Sequence, residues 1–232
     1  MIQQETFSQS KQRFGNDDLY QQIQQDALML LESYGVGVSL ETAKKLFGAM
    51  GADEAERVVY SEEMGRIYLT QDVIEDCLDR VRQGMDFWPK GFGTGGMAAY
   101  IIDANGTRSP ESKDIKILAK RFGEHDLLTN LQSSFNVCSR VKKSDIEARA
   151  KIECQVVDDM IEGANGKLIM PTLLSEAGFD KLKDYSEKGH RVGAALSIIS
   201  TYMTVSDEMA DPFLKTVQRG LPYIMNSMSI GG

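Results

Sequence analysis

Residues that usually carry metal or redox chemistry are scarce in this chain. Only 2 histidines and 3 cysteines occur among 232 residues. Cys77, Cys138 and Cys154 are odd in number, widely spaced and free of any C-x-x-C pairing. That spacing argues against a disulfide framework or a structural zinc site, and the thiols read as buried or half-buried free cysteines. Basic charge is also in deficit: 26 Lys and Arg face 34 Asp and Glu, giving a formal charge of −8. The basic footprint of a nucleic-acid binder is missing. No run approaches the roughly 18–20 apolar residues that span a bilayer. The opening Met1-Ile2-Gln3-Gln4-Glu5 lacks the basic-then-apolar order of a signal peptide. A soluble cytoplasmic protein, with neither nucleic acid nor membrane as partner, is the expectation.

What is present is globular, with 42% hydrophobic and 26% charged residues. Leu19, Ile23, Ala27, Leu30 and Leu31 recur at three- and four-residue steps, predicting a helix over 17–34 that stops at Gly35. Ser39 is placed to cap a second helix bearing Ala43, Leu46, Phe47 and Met50. Short β-branched and aromatic runs follow at 57–60 and 66–69. Next come a helix opened by Thr70, and strand-like segments at 86–89 and 97–103. The glycines at 91, 93, 95 and 96 read as a tight chain reversal. A nucleotide loop would open a helix, and this stretch runs on into Met97-Ala98-Ala99-Tyr100-Ile101-Ile102.

After Pro110 the pattern becomes strand-helix alternation. Helices are predicted at about 112–122, 144–162, 175–188 and 206–219. Extended runs fall at 127–132, 167–170, 192–200 and 222–226. Strands recurring roughly every 25–40 residues are the mark of βα units and a parallel sheet. An open doubly wound sheet and a (β/α)8 TIM-type barrel compete for this pattern. The barrel needs roughly 250 residues of such units, so it would be present here only as its first half.

No self-sufficient catalytic set is evident. His125 and His190 each precede a strand, on the side of a barrel that serves stability. Asp158 and Asp159 diverge by about 100° around a helix and read as a solvated face. There is no Ser/His/Asp order and no H-E-x-x-H. Chemistry supplied from outside the chain is favoured.

Residues 91–103, then Gly106-Thr107-Arg108 and Pro110, resemble a segment of the trimethylamine methyltransferase family, the corrinoid-dependent methylamine and glycine betaine methyltransferases. The family places a glycine-rich turn, an Asp-ending strand and a Gly-x-Arg-x-Pro reversal just before its barrel. Ala27 to Val38 is similar to the family's opening helix, and Leu221 to Met228 to its fourth barrel strand. The ends of strands three and four, Ser200-Thr201-Tyr202 and Asn226-Ser227, carry fewer prolines than the family usually has.

The resemblance implies an α/β fold: a helical and β-hairpin portion over 1–110, then the first four βα units of a TIM-type barrel over 111–232, apparently truncated. It implies transfer of an N-methyl group from a methylated or quaternary amine to the Co(I) of a corrinoid (cobalamin). The corrinoid is carried by a cognate partner protein and not bound by this chain. A competing reading from another class is a non-catalytic binding or assembly module with a half-barrel fold. Uncovered strand edges predict a homo-oligomer.

Alternation along 127–134 puts Leu127, Thr129 and Leu131 on one face and Leu128, Asn130, Gln132 and Ser134 on the other, with the polar set turned inward. Gln132 and Ser134, with Thr172, Tyr202 and Asn226 at the ends of the next strands, are the expected substrate-binding residues. Tyr202 would offer an aromatic face to a methylammonium group.

Overall fold

The computed structural model describes residues 17–49, 56–84, 91–95, 98–138, 141–142, 144–196 and 203–225. The fold is mixed α/β with a small parallel sheet. The predicted first helix is α1 (Asp17–Met29), continued by a π-helical turn over Leu30–Tyr34 that Gly35 ends at φ 69°. Its stripe is largely uncovered: Leu19, Ile23 and Leu30 are exposed, while Leu31 is packed.

Strands β1 (Val36–Gly37), β2 (Val58–Ser61) and β3 (Arg66–Leu69) form an antiparallel sheet of order β1-β3-β2. Helix α2 (Leu40–Ala49) lies between β1 and β2, with Ser39 Oγ accepting from Thr42 N as capping predicts. Helix α3 (Gln71–Gly84) follows β3.

Gly37 also bridges Thr204 in parallel, with Gly37 N donating to Met203 O and Val205 N to Gly37 O. A Cβ at Gly37 would lie 2.9 Å from Thr204 Oγ1. Glycine is what permits the approach. Val36, Val38, Ala43, Val205 and Ala210 make one buried cluster across this junction.

The parallel sheet begins earlier than the sequence suggests, before Pro110. β4 (Phe92–Gly93) pairs in parallel with β7 (Leu128–Gln132), and Ala98 bridges Phe135 in the same sense. Gly93 therefore lies in an extended strand, Phe92–Gly93, and not in the tight reversal that the glycines suggest. A Cβ on Gly93 would fall 1.5 Å from Asn130 Oδ1, and one on Gly91 2.4 Å from Thr129 Cγ2. Side chains of β7 lie across β4, and only glycine leaves room for them.

Strands β5 (Ile101–Asp103) and β6 (Gly106–Arg108) form a hairpin. Arg108 then donates to both oxygens of Asp114, at 2.7 and 2.8 Å. Asp114 sits in the first turn of α4 (Ser112–Glu124), where it also accepts from Glu111 N and completes a capping box.

β7 pairs in parallel with β8 (Leu168–Met170); Ile169 bridges Val192 in parallel; and β9 (Ala194–Leu196) pairs in parallel with β10 (Tyr223–Met225). Parallel neighbours thus follow sequence order, joined by α5 (Ile146–Gly163), α6 (Glu176–Glu187) and α7 (Asp207–Gln218). Ile115, Ala119 and Phe122 of α4, Val156, Val157 and Met160 of α5, and Phe179 and Leu182 of α6 close over Leu131 and Ile169 in one core. Helices α4 and α5 touch through glycine, since a Cβ on Gly123 would sit 2.2 Å from Gly163 O.

Candidate functional site at the carboxyl ends of the parallel strands

Open parallel sheets bind ligands beyond the carboxyl ends of their strands. Here that region holds the end of β7, the turn after β8, and the first turns of α5 and α6. Leu131 is buried under the helices, while Asn130 and Gln132 are half-buried. Alternation breaks at the first residue of the strand, because Leu128 also packs on the helical core.

Of the five residues expected at the site, Gln132, Ser134 and Thr172 are described, and Tyr202 and Asn226 lie outside the described residues. All three are half-buried. Gln132 N donates to Thr94 Oγ1 at 2.9 Å, and Thr94 Oγ1 donates back to Gln132 O at 3.2 Å. The threonine hydroxyl thus takes over the ladder where the β4–β7 register shifts. Ser134 Oγ donates to Gln132 O, and Ala98 N to Ser134 O. Thr172 N donates to Ser133 Oγ at 3.0 Å. Ser133 is therefore the hinge between Gln132–Ser134 and Thr172, buried at 6% exposure and with its hydroxyl 3.7 Å from Met160 Sδ. Sequence reasoning missed it, although its parity with Leu131 places it under the helices.

Glu153 was missed as well. It is buried on α5, and its Oε2 accepts from Leu174 N, Ser175 N and Ser175 Oγ at 3.1, 2.8 and 2.6 Å. A carboxylate at a helix N-terminus satisfies donors that the helix cannot use and opposes its dipole. Ser175 Oγ in turn accepts from Gly178 N. This network holds the turn after β8 in place.

Two buried side-chain atoms have no hydrogen-bond partner among the described residues, Asn130 Oδ1 and Arg149 Nε. Arg149 stands one turn before Glu153 on α5 and makes no ion pair among the described residues. Its charge is felt at Cys138, in the loop after β7. Burial pushes that thiol above its ordinary range, Glu153 adds to the rise, and Arg149 opposes it.

The acidic pair Asp158-Asp159 is not a solvated face. Asp159 is 4% exposed and accepts from Ser112 Oγ and Gln155 Nε2, whereas Asp158 binds Lys181 and Tyr185. Both carboxylates are taken up between helices, because α4 and α6 flank α5 on both sides. His125 is the C-cap residue of α4, and His190 packs edge-on against Tyr185.

No group of three or more His, Cys, Asp and Glu able to hold a metal occurs among the described residues, and no described helix is long and apolar enough to cross a membrane. Grooves of 390 and 440 Å³ lie between α4 and α5 and along α6, and one of 480 Å³ lies between α2, α7 and Glu176 in the first turn of α6. No family model matches the chain, and no curated protein matches it significantly.

Proposed function

We propose that the chain is the first part of a TIM-type barrel that transfers an N-methyl group from a methylated or quaternary amine to a corrinoid carried by a partner protein. The observation that carries the reading is strand order. Parallel strands β7 to β10 follow one another without the order reversal of a doubly wound sheet, and α4, α5 and α6 share one core on one side. Singly wound order is how a barrel is built. The segment resemblance over residues 27–38, 91–110 and 221–228 supplies the chemistry.

When bound nearby, the partner's reduced cobalt supplies the nucleophile that takes the methyl group. This chain's residues have the task of holding the amine still and keeping water away. Gln132, Ser134 and Thr172 offer uncharged hydrogen-bonding groups at the strand ends, a donor set suited to orienting a small polar substrate. A quaternary ammonium departs as a neutral tertiary amine, so no proton has to be delivered. For a quaternary donor the reading therefore needs no general acid at these positions, whereas a tertiary amine would have to react as its protonated ammonium, whose proton leaves with the secondary amine.

The test is to supply the chain with reduced cobalamin and either glycine betaine or trimethylamine, and to quantify dimethylglycine or dimethylamine by mass spectrometry. The expected result is turnover of one donor, reduced by about tenfold or more in Gln132→Ala and Tyr202→Ala with unchanged thermal unfolding. No demethylated product from either donor, with a reductively activated corrinoid protein also supplied, would reject the reading.

A further inference from the structure

An apolar surface that the strand ends do not account for runs along helix α1. Tyr20, Ile23, Ala27 and Leu30 recur at steps of three, four and three, which is heptad spacing. They share one side of the helix and all are exposed, Tyr20 at 42%, Ile23 at 55% and Leu30 at 44%. The chain's own packing draws on a neighbouring position, since it is Leu31 that joins the buried cluster around Val36 and Ala43. Apart from the π-helical turn that continues it, no described element lies closely along α1. A contiguous apolar seam left in water is a mark of a binding surface.

The base of the seam is anchored. Arg66 of β3 donates through Nε to Tyr34 O at 2.6 Å and through Nη2 to Gly35 O at 2.9 Å. Its guanidinium also stacks on the Tyr34 ring, 4.0 Å from the centroid.

Charge beside the seam selects the kind of partner. Between Asp17 and Tyr34 the chain carries Asp17, Asp18, Asp26 and Glu32, and not one Lys or Arg. Asp17 and Asp26 fall at the e and g positions that flank the seam on its two sides, where charge chooses the partner in paired helices. Gln21, Gln22, Gln24 and Gln25 leave the intervening surface uncharged. A second copy would set these acids against their own kind, in a chain whose formal charge is −8. A helix with Lys or Arg beside its own apolar stripe would cover the seam and neutralise its rim.

We propose that α1 docks a basic amphipathic helix of a partner protein, apolar seam against apolar seam, with Asp17 and Asp26 meeting its lysines or arginines. This surface serves whether or not methyl transfer is the reaction at the strand ends.

Two synthetic helices of three heptads serve as probes, both with Leu at a and d, one with Lys at e and g and the other with Glu. Fluorescence anisotropy of each labelled helix, titrated with the full chain at about 0.1 M and about 0.5 M salt, reads the affinity. Sedimentation equilibrium of the chain alone reads its mass. At low salt the Lys helix should bind at least about tenfold tighter than the Glu helix, and high salt should remove most of that preference. Ile23→Ser should weaken the Lys helix by about tenfold or more. Asp17→Asn combined with Asp26→Asn should bring the two helices within about threefold of each other. Both sites are on the surface, so circular-dichroism melting should be unchanged in all variants.

Equal binding of the two helices by the wild type, binding of neither, or Lys-helix binding that Ile23→Ser leaves intact overturns the proposal. A wild-type dimer that Ile23→Ser dissolves would overturn it too, since the seam would then belong to a second copy.

Discussion

The two ends of the parallel strands are built differently. Near the amino ends of β7 and β8, Lys167 Nζ donates to Phe122 O and His125 O, closing α4, and glycines let α4 and α5 meet backbone to backbone. Toward the carboxyl ends stand the two buried atoms without partners among the described residues, Asn130 Oδ1 and Arg149 Nε, above a network that Glu153 must hold. Tight, satisfied contacts at one end supply stability that unsatisfied groups at the other draw down. Such a division is expected where a fold keeps its chemistry at one rim.

Substitutions at the two ends should separate in size and in sign. The largest loss is expected from Gly163→Leu, whose side chain would be driven into Ala119 and the α4 backbone. Urea unfolding should register about 3 kcal/mol of destabilisation, with overpacking as the cause. A loss below about 1 kcal/mol would mean that the α4–α5 crossing relaxes easily and that the amino end is not the rigid one.

Glu153→Ala comes next. It strands two backbone donors and the Ser175 hydroxyl at the start of α6, and about 2 kcal/mol should be lost. Glu153→Gln keeps an acceptor and should recover part of it. Equal losses in both variants would show that charge, not acceptance, matters there.

A smaller effect is expected at the hairpin. The Arg108 guanidinium holds the Asp114 carboxyl down to about 2, so the folded value lies below the ordinary 3.8. The stabilisation is complete above the ordinary value and disappears as pH falls toward about 2. Arg108→Ala should lower stability at neutral pH, read as a lower urea midpoint, and flatten the acid limb of a stability–pH curve. An unchanged acid limb would mean that other depressed carboxylates, such as Asp72 and Glu176, govern it.

The smallest effect carries the opposite sign. Asn130→Ala removes a buried amide oxygen that has no partner among the described residues, and should leave stability unchanged or raise it by about 0.5–1 kcal/mol. A clear destabilisation would show that Asn130 is a satisfied structural residue.

Much of the helical layer was legible in the sequence, because periodicity in α5 and α6 reports which face is buried. The β7 strand was legible from its alternation, and its parallel pairing with β8 follows from the intervening helix. Gly91 and Gly93 were not, since their reason is tertiary: Thr129 and Asn130 lie over them from another strand. Asp158 and Asp159 failed for the same cause, as Ser112, Lys181 and Tyr185 arrive from helices distant in sequence. Residue types mark Gln132, Ser134 and Thr172 only as candidates at the strand ends. Ser133, Glu153 and Arg149 emerge only when helix and loop are placed over the strand ends.

The stitch between Gly37 and Thr204 has a consequence for folding order. Ser39 Oγ and Thr42 Oγ1 both donate to Asp207, across separations of 168 and 165 residues. Contacts of such high order close late, after local helices and neighbouring strands have formed. During synthesis the amino-terminal sheet leaves the ribosome first, yet its docking segment follows only after β9 has been translated. Until then β1 waits with its ladder unfilled on that side, and a chaperone that shields such an edge would raise the yield of native protein.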